Sequence, residues 1–141
     1  MSLYVLDTDT LSLLQRSHPQ VSARVASRLQ NEIAITIITV EEQLRGWFTY
    51  LRRAKNATQT AAAYNRLRAS VAYLARANVL PYSEAAIDRF RSLLKARTGV
   101  RADDLRIAAI CLEFGATVVT RNVTDFRVVP DLQVEDWSQQ D

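Results

Sequence analysis

The sequence predicts an α/β fold: a doubly wound, mostly parallel sheet with helices on both faces. Three short apolar runs rich in Val, Ile, Leu and Thr, at residues 3–6, 33–40 and 116–120, have the length and content of buried strands. Stretches with helical periodicity separate them, and strands that alternate with helices build a parallel sheet. Right-handed crossovers then place helices on both faces. Each run also leads into polar, mostly acidic residues: Asp7 after the first, Glu41 and Glu42 after the second, and Arg121, Asn122 and Asp125 after the third.

Residues 3–6 form the first strand. Thr8, Asp9 and Thr10 supply an N-cap for a short helix through Leu14, which Ser17, His18 and Pro19 end. Val21, Val25 and Leu29 share one face of a second helix. The second strand covers 33–40. A long helix then starts at about Glu41 and runs to Lys55, with Leu44, Trp47, Phe48 and Leu51 on its apolar side. After a weak break at 56–60, residues 61–77 form another helix with Tyr64, Leu67, Val71 and Leu74 as its stripe, so a helical hairpin follows strand 2. Val79 to Tyr82 is a short extended piece and a candidate third strand. Ser83 caps a helix that ends near Arg97, where Thr98 and Gly99 stop it. Residues 103–114 are helical and Gly115 ends them. Residues 116–120 are the fourth strand, Asp125 lies in the loop after it, and 132–134 is a short last strand.

A chain of 141 residues with 48% hydrophobic content fits one domain over 1–141 with a real core. One cysteine excludes an internal disulfide framework and fits a reducing cytoplasm. The N-terminus has no basic segment before an apolar core, so it does not read as a signal peptide, and no apolar stretch nears the roughly 18 residues of a membrane span. The net charge of +3 hides a segregation. Residues 1–42 hold 3 basic and 5 acidic side chains, 43–102 hold 12 and 2, and 103–141 hold 3 and 8. Sixteen of the 18 basic residues are Arg, which forks onto phosphate and stays charged. A basic block beside an acidic centre suits a nuclease, one part gripping the phosphate backbone and the other cutting it. The plainer readings of that block are a solvated helical face or a surface for an acidic protein partner.

In a parallel sheet these acids gather at one edge, where open α/β sheets keep their sites. Carboxylates held together repel and raise each other's pKa, and a hard cation relieves that cost. An all-oxygen site selects Mg²⁺ or Mn²⁺ over zinc, and such ions orient a phosphodiester and activate an attacking water. Asp7 ends the first strand; Asp9 and Thr10 can cap the next helix, which leaves Asp7 free for other work. Glu41 and Glu42 open a helix, where the macrodipole favours acids, and spacing does not decide between them. Asp103 and Asp104 open another. Asp104 shares a face with Ala108 and Cys111, small apolar residues that pack on the sheet, and a buried carboxylate there is costly unless paired or metal-bound. Asp103 points further out and caps the helix. Asp125 is either a turn residue or a site residue, and Asn122, nearer the strand end, offers a neutral oxygen. His18 is the only histidine, and Cys111 has no histidine near it, so a His-bearing zinc site and a His-based triad are poor fits. No phosphate-binding GxxxxGK[ST] or GxGxxG segment is present.

Four segments occur in order over nearly the whole length: LDTDTLSLL at 6–14, ITVEEQLRG at 38–46, ADDLRIAAICLEFGATVVTRN at 102–122, and NVTDF with the terminal LQVEDW. In these the chain resembles the PIN-domain nucleases, and within them the VapC-type toxins of VapBC toxin–antitoxin pairs. The resemblance implies a PIN-like doubly wound fold, Mg²⁺-dependent cleavage of RNA (with Mn²⁺ as a second candidate ion), frequent homodimers, and a VapB-type antitoxin whose tail covers the acidic groove. It places the site on Asp7, on Glu42 rather than Glu41, and on Asp104 rather than Asp103. The family's fourth acid often stands where this chain has Asn122, so either Asp125, three residues on, becomes the fourth candidate or the site runs on three carboxylates. Asp7 and Asp104 are then the main metal ligands, Glu42 and Asp125 complete the cluster, and Arg45, Arg52 and Arg53 of the hairpin hold flanking phosphates. This reading needs residues 7, 42 and 104 to converge on one ion.

Three rivals remain on sequence alone. Asp7-Thr8-Asp9-Thr10 resembles the DxDxT nucleophile motif of haloacid-dehalogenase-like phosphatases, but the best strand-end Thr, Thr120, follows the late acidic pair instead of preceding it. A receiver-type phosphorylation switch wants a late strand-end Lys, and no Lys follows Lys95. A non-catalytic PIN-like binding domain draws its support from Asn122.

Overall fold

The computed structural model describes residues 2–140. Five strands, β1 (Tyr4–Leu6), β2 (Ile33–Thr36), β3 (Val79–Leu80), β4 (Thr117–Val119) and β5 (Gln133–Glu135), form one parallel sheet in the order β3-β2-β1-β4-β5. Seven helices connect them: α1 (Thr8–Gln15), α2 (Pro19–Ala26), α3 (Ile37–Arg52), α4 (Ala57–Arg76), α5 (Glu84–Lys95), α6 (Ala102–Phe114) and α7 (Val123–Arg127). The chain starts in the central strand, winds outward through β2 to β3, then returns to build β4 and β5 on the other side. The predicted doubly wound parallel sheet is therefore the fold observed.

Register and the two-residue strand period split the core into two layers. Tyr4 lies opposite Ile33 and Thr117, and Val5 opposite Ala34 and Val118. Val5, Ala34 and Val118 face α5, α6 and α7, where Phe90, Ile107, Ile110 and Phe126 pack. Leu6, Ile35 and Val119 face the opposite way, onto Leu11 and Leu13 of α1, Val21 of α2, Leu74 of α4 and the fully buried Trp137. The Trp137 indole N–H donates to Glu135 at 3.0 Å, and the Arg28 guanidinium lies 4.0 Å from the centre of the Tyr4 ring.

Several boundaries differ from expectation, each for a local reason. β2 ends at Thr36, not at residue 40. The Thr36 hydroxyl accepts the Thr39 N–H at 3.3 Å and starts α3 there, so Ile37 and Ile38 continue the apolar run as helix. β-branched runs fit either period, and the cap decides. Glu41 and Glu42 therefore sit in the second turn, and the macrodipole does not account for them. The weak break at 56–60 is a cap: the Asn56 carbonyl oxygen accepts the Gln59 N–H at 2.9 Å and α4 begins at Ala57. Its buried line is Ala63, Ser70 and Leu74, whereas Tyr64 and Val71 of the predicted stripe are 58% and 52% exposed. The second helix starts at Pro19, and the His18 ring nitrogen Nδ1 accepts the Val21 N–H at 3.3 Å, which gives the lone histidine a capping role. Ser83 caps α5 through the Ala86 N–H, as expected. Gly115 ends α6 as expected, at φ +63 in the left-handed conformation. The segment after β4 is not a loop but the short helix α7, which carries Asp125.

Candidate active site

The site lies at the carboxyl edge of the sheet, where the winding direction reverses between β1 and β4, the crevice in which open α/β sheets bind ligands. Asp7 leaves β1 directly into it. Its own N–H still donates to the Val119 carbonyl at 3.0 Å, so the strand ladder fixes its backbone. The carboxylate is 5% exposed. Contrary to expectation, Asp7 does cap α1: one oxygen accepts the Thr10 N–H at 2.8 Å. The Thr120 hydroxyl also bonds the carboxylate. That hydroxyl in turn accepts the Asn122 N–H at 2.8 Å. Burial pushes the Asp7 pKa up, and the Thr120 and Thr10 bonds oppose that push. Capping uses only part of the carboxylate and holds it rigid, so both roles coexist.

Asp104 sits in the first turn of α6, on the same face as Ala108 and Cys111, which are fully buried as predicted. Its carboxyl is pushed up to about 6. Burial is the main cause; the Arg101 guanidinium opposes it, and the charges of Asp7, Glu42 and Asp125 add to it. Four segments of chain thus bring four carboxylates into one electrostatic neighbourhood. Burial also raises the Cys111 thiol far above neutrality, which leaves it a core residue.

Glu42 and Glu41 separate cleanly. One oxygen of Glu42 accepts the Thr8 hydroxyl at 2.6 Å and the other accepts Nη2 of Arg101 at 2.9 Å. Because Thr8 donates its proton to Glu42, the Thr39 hydroxyl 3.0 Å away must donate to Thr8. Glu41 points outward and pairs with Arg45 at 3.3 Å. Asp103 does not cap α6; it pairs with Arg106 at 2.8 Å and with Arg45 at 3.7 Å. Asn122 donates its side-chain N–H to Asp125 at 2.7 Å, so the amide that replaces the expected acid steers the acid three residues later. Asp9 is drawn away to Arg121 at 2.8 Å, and nothing in its position supports the phosphatase motif.

In these positions, no three of the described His, Cys, Asp and Glu side chains converge closely enough to chelate an ion. The contacts show why. Thr8 and Arg101 hold Glu42, and Asn122 holds Asp125. The donor set nevertheless fits a hard divalent cation: all its donors are carboxylate oxygens, with charges that raise the Asp104 pKa. The positive charge nearest that set is Arg101. Its own pKa is raised by Asp104 first, with Glu42 and Asp103 also contributing.

The predicted phosphate grip divides. Arg45 stands beside the site through Asp103. Arg52 and Arg53 end α3, about ten residues or 15 Å along the helix from Glu42, and both are exposed. Sequence reasoning missed Thr8, Thr120 and Arg101. Thr8 and Thr120 each stand next to a recognised strand end, a usable signal, whereas nothing in a lone Arg before Asp103 marks it as a partner for Glu42, 59 residues away.

Comparison with known proteins identifies the family. The PIN domain family model matches residues 4–132. Ribonuclease VapC1 of Haemophilus influenzae is 30% identical over 97% of this chain and 99% of its own length. Among solved structures, VapBC-1 from nontypeable Haemophilus influenzae superposes with a TM-score of 0.74 at 27% identity, over 97% of this chain and 99% of that one. FitAcB from Neisseria gonorrhoeae superposes with a TM-score of 0.73 at 25% identity, over 98% of this chain and the whole of that one. With that family model matching nearly the whole chain and a relative 30% identical over 97% of it, the chain belongs to the PIN-domain family.

Proposed function

We propose that this chain, acting as one domain over 1–141, is the ribonuclease toxin of a VapBC-type pair. In this reading it hydrolyses RNA phosphodiester bonds with Mg²⁺ held by Asp7, Glu42, Asp104 and Asp125. One observation carries the proposal: the carboxyl edge of a PIN-type sheet holds buried Asp7 at the end of β1, with Glu42 of α3, Asp104 of α6 and Asp125 of α7 near enough for their charges to act on one another. PIN-domain ribonucleases depend on a metal, and Mg²⁺ is the ion this oxygen-only set favours. When bound, the ion offsets charge on the phosphate oxygens and lowers the pKa of the attacking water.

The chain's own residues do the rest. Asp7, buried and tied to Thr10 and Thr120, is the fixed carboxylate against which the others assemble. Asp104, whose carboxyl is pushed up to about 6 by burial, is ionised at neutral pH and would hold the ion as a carboxylate. Glu42, held by Thr8 and Arg101, would share in holding the ion, and Arg101 and nearby Arg45 would then be available to the phosphate. Asn122 orients Asp125. The VapBC complexes among the structural neighbours support a VapB-type antitoxin as partner, and a homodimer in the cytoplasm is part of the same reading. Among the described residues no helix is long and apolar enough to cross a membrane.

The test pairs cleavage with stability. Millimolar Mg²⁺ should raise the melting temperature of the wild-type chain by mass action and let it cut single-stranded RNA. Asp7→Asn should fold, lose the Mg²⁺ shift and lose cleavage. Full cleavage by Asp7→Asn, or no thermal shift in the wild type, would remove the metal-nuclease reading.

A further inference from the structure

Glu42 stands between two recesses of different character. On one side is a basic recess of about 600 Å³ with Arg45, Arg101 and Arg106 in its walls. On the other, Glu42 and Thr8 open into a groove of about 600 Å³ between α1, α3 and α4. The second groove has aromatic walls. Trp47 and Tyr50 meet edge to face with ring centres 5.8 Å apart, and the Arg66 guanidinium lies 5.5 Å from the centre of the Tyr50 ring. Tyr73 stands opposite, on α4. Ser70, only 8% exposed, lines the same groove, and its hydroxyl has no hydrogen-bond partner. A buried hydroxyl without a partner is costly, so its presence points to something that completes it. Gln15 and Gln43, whose amides exchange hydrogen bonds of 2.9 and 3.2 Å, add adaptable polar groups at the mouth.

We propose that this groove seats one nucleobase of the RNA strand, the base next to the bond being cut. The inference rests on the ribonuclease reading and adds a specificity pocket to it. Because Glu42 and Thr8 belong both to the groove and to the carboxylate cluster, whatever enters the groove lies beside the scissile phosphate. Flat aromatic walls suit a planar heterocycle, and the Ser70 hydroxyl and Gln43 amide suit its polar edge. Sequence-selective recognition of unpaired RNA combines stacking with such edge contacts. The two recesses then divide the strand: arginines take phosphates on one side of Glu42, and aromatics take a base on the other.

Binding and cleavage are measured separately. Fluorescently labelled single-stranded hexaribonucleotides, with one abasic site moved along the strand, are titrated in EDTA so that no cutting occurs. One abasic position should weaken binding by about ten-fold, the scale of one stacked base. In Trp47→Leu the same abasic site should cost less than about two-fold, because the stacking partner is already gone. Trp47 emission should be quenched by the intact strand, against a constant signal from the buried Trp137. Ser70→Ala, a smaller change that leaves the aromatic walls intact, should reduce the penalty at that one position. Equal sensitivity at all positions, or an unaltered pattern in both variants, overturns the pocket. Variants that keep the RNA pattern but lose a co-expressed antitoxin would assign the groove to protein and also overturn it. RNA cleaved in Mg²⁺ without a sensitive position leaves the nuclease standing and the pocket refuted; the sensitive position without cleavage does the reverse.

Discussion

Replacing Asp104 by Asn should stabilise the metal-free protein, and the size of the gain follows from its surroundings. The carboxyl titrates near 6 instead of 3.8, mainly because burial disfavours its charge. A shift of about 2 units corresponds to about 3 kcal/mol at 1.36 kcal/mol per unit. The side chain is only half-buried, so screening roughly halves that, leaving about 1–1.5 kcal/mol. Below pH 3.8 the folded and unfolded chains both carry the proton and Asp104 imposes no penalty. Between 3.8 and about 6 the unfolded chain ionises first, so stability falls as pH rises, and above about 6 the full penalty persists. Thermal unfolding in EDTA followed by circular dichroism should therefore show Asp104→Asn melting about 3–5 °C higher than wild type at pH 7.5, with the difference vanishing toward pH 4. With Mg²⁺ the order should reverse, because the wild type gains from the ion and the variant loses a ligand. No gain at pH 7.5, or the same gain at pH 4, would refute a desolvated, mutually repelling cluster.

Arg101→Ala should free Glu42 and raise the apparent Mg²⁺ affinity, read as the ion concentration at half-maximal thermal shift, with Arg101→Lys in between; an unchanged midpoint would mean that the Arg101–Glu42 bond does not compete with the ion. Charge reversal of Arg52 and Arg53 should weaken binding of long RNA and flatten its salt dependence while sparing short oligonucleotides, because both lie about 15 Å along α3 from Glu42; loss of short-strand binding would contradict that placement. Gly115→Ala should cost about 1–2 kcal/mol in urea unfolding, since φ is +63 there; no change in midpoint would show that the α6 C-terminus relaxes at no cost.

The sheet was legible because its strands are short, β-branched and separated by helical stretches, a pattern that leaves one topology class. Boundaries were less so. The run at 33–40 contains no residue that forbids either period, and only the Thr36 side chain, folding back on Thr39, turns strand into helix. The stripe of α4 was misphased because its packed line uses Ala63 and Ser70, small residues that hydropathy overlooks beside Tyr64 and Val71. The choice of Glu42 over Glu41 came from family resemblance, since adjacent acids at a helix start have equal propensity, whereas the face Asp104 shares with Ala108 and Cys111 already set it apart from Asp103. In the fold, Glu42 takes the Thr8 hydroxyl and Arg101 at the sheet edge and its charge reaches Asp104, whereas Glu41 pairs with Arg45 and Asp103 with Arg106 and Arg45. Arg101 was out of reach of the sequence, because its contact with Glu42 spans 59 positions of chain, whereas Thr120 at a strand end could have been weighed.

The hydroxyl that steadies Asp7 stands at residue 120, and the strand end carrying it is secured by the Thr120 N–H donating to the Glu135 carbonyl at 2.9 Å. The surroundings of Asp7 are therefore complete only when residues from both ends of the sheet have folded together. A ribosome can release most of this polypeptide before the parts of the cutter meet, and a prematurely terminated product that stops short of α6 carries Asp7 and Glu42 without Asp104. The acids, the hydroxyl that steadies one of them and the strand that anchors that hydroxyl thus lie as far apart in sequence as residues 7 and 135, so the site cannot assemble from either half alone.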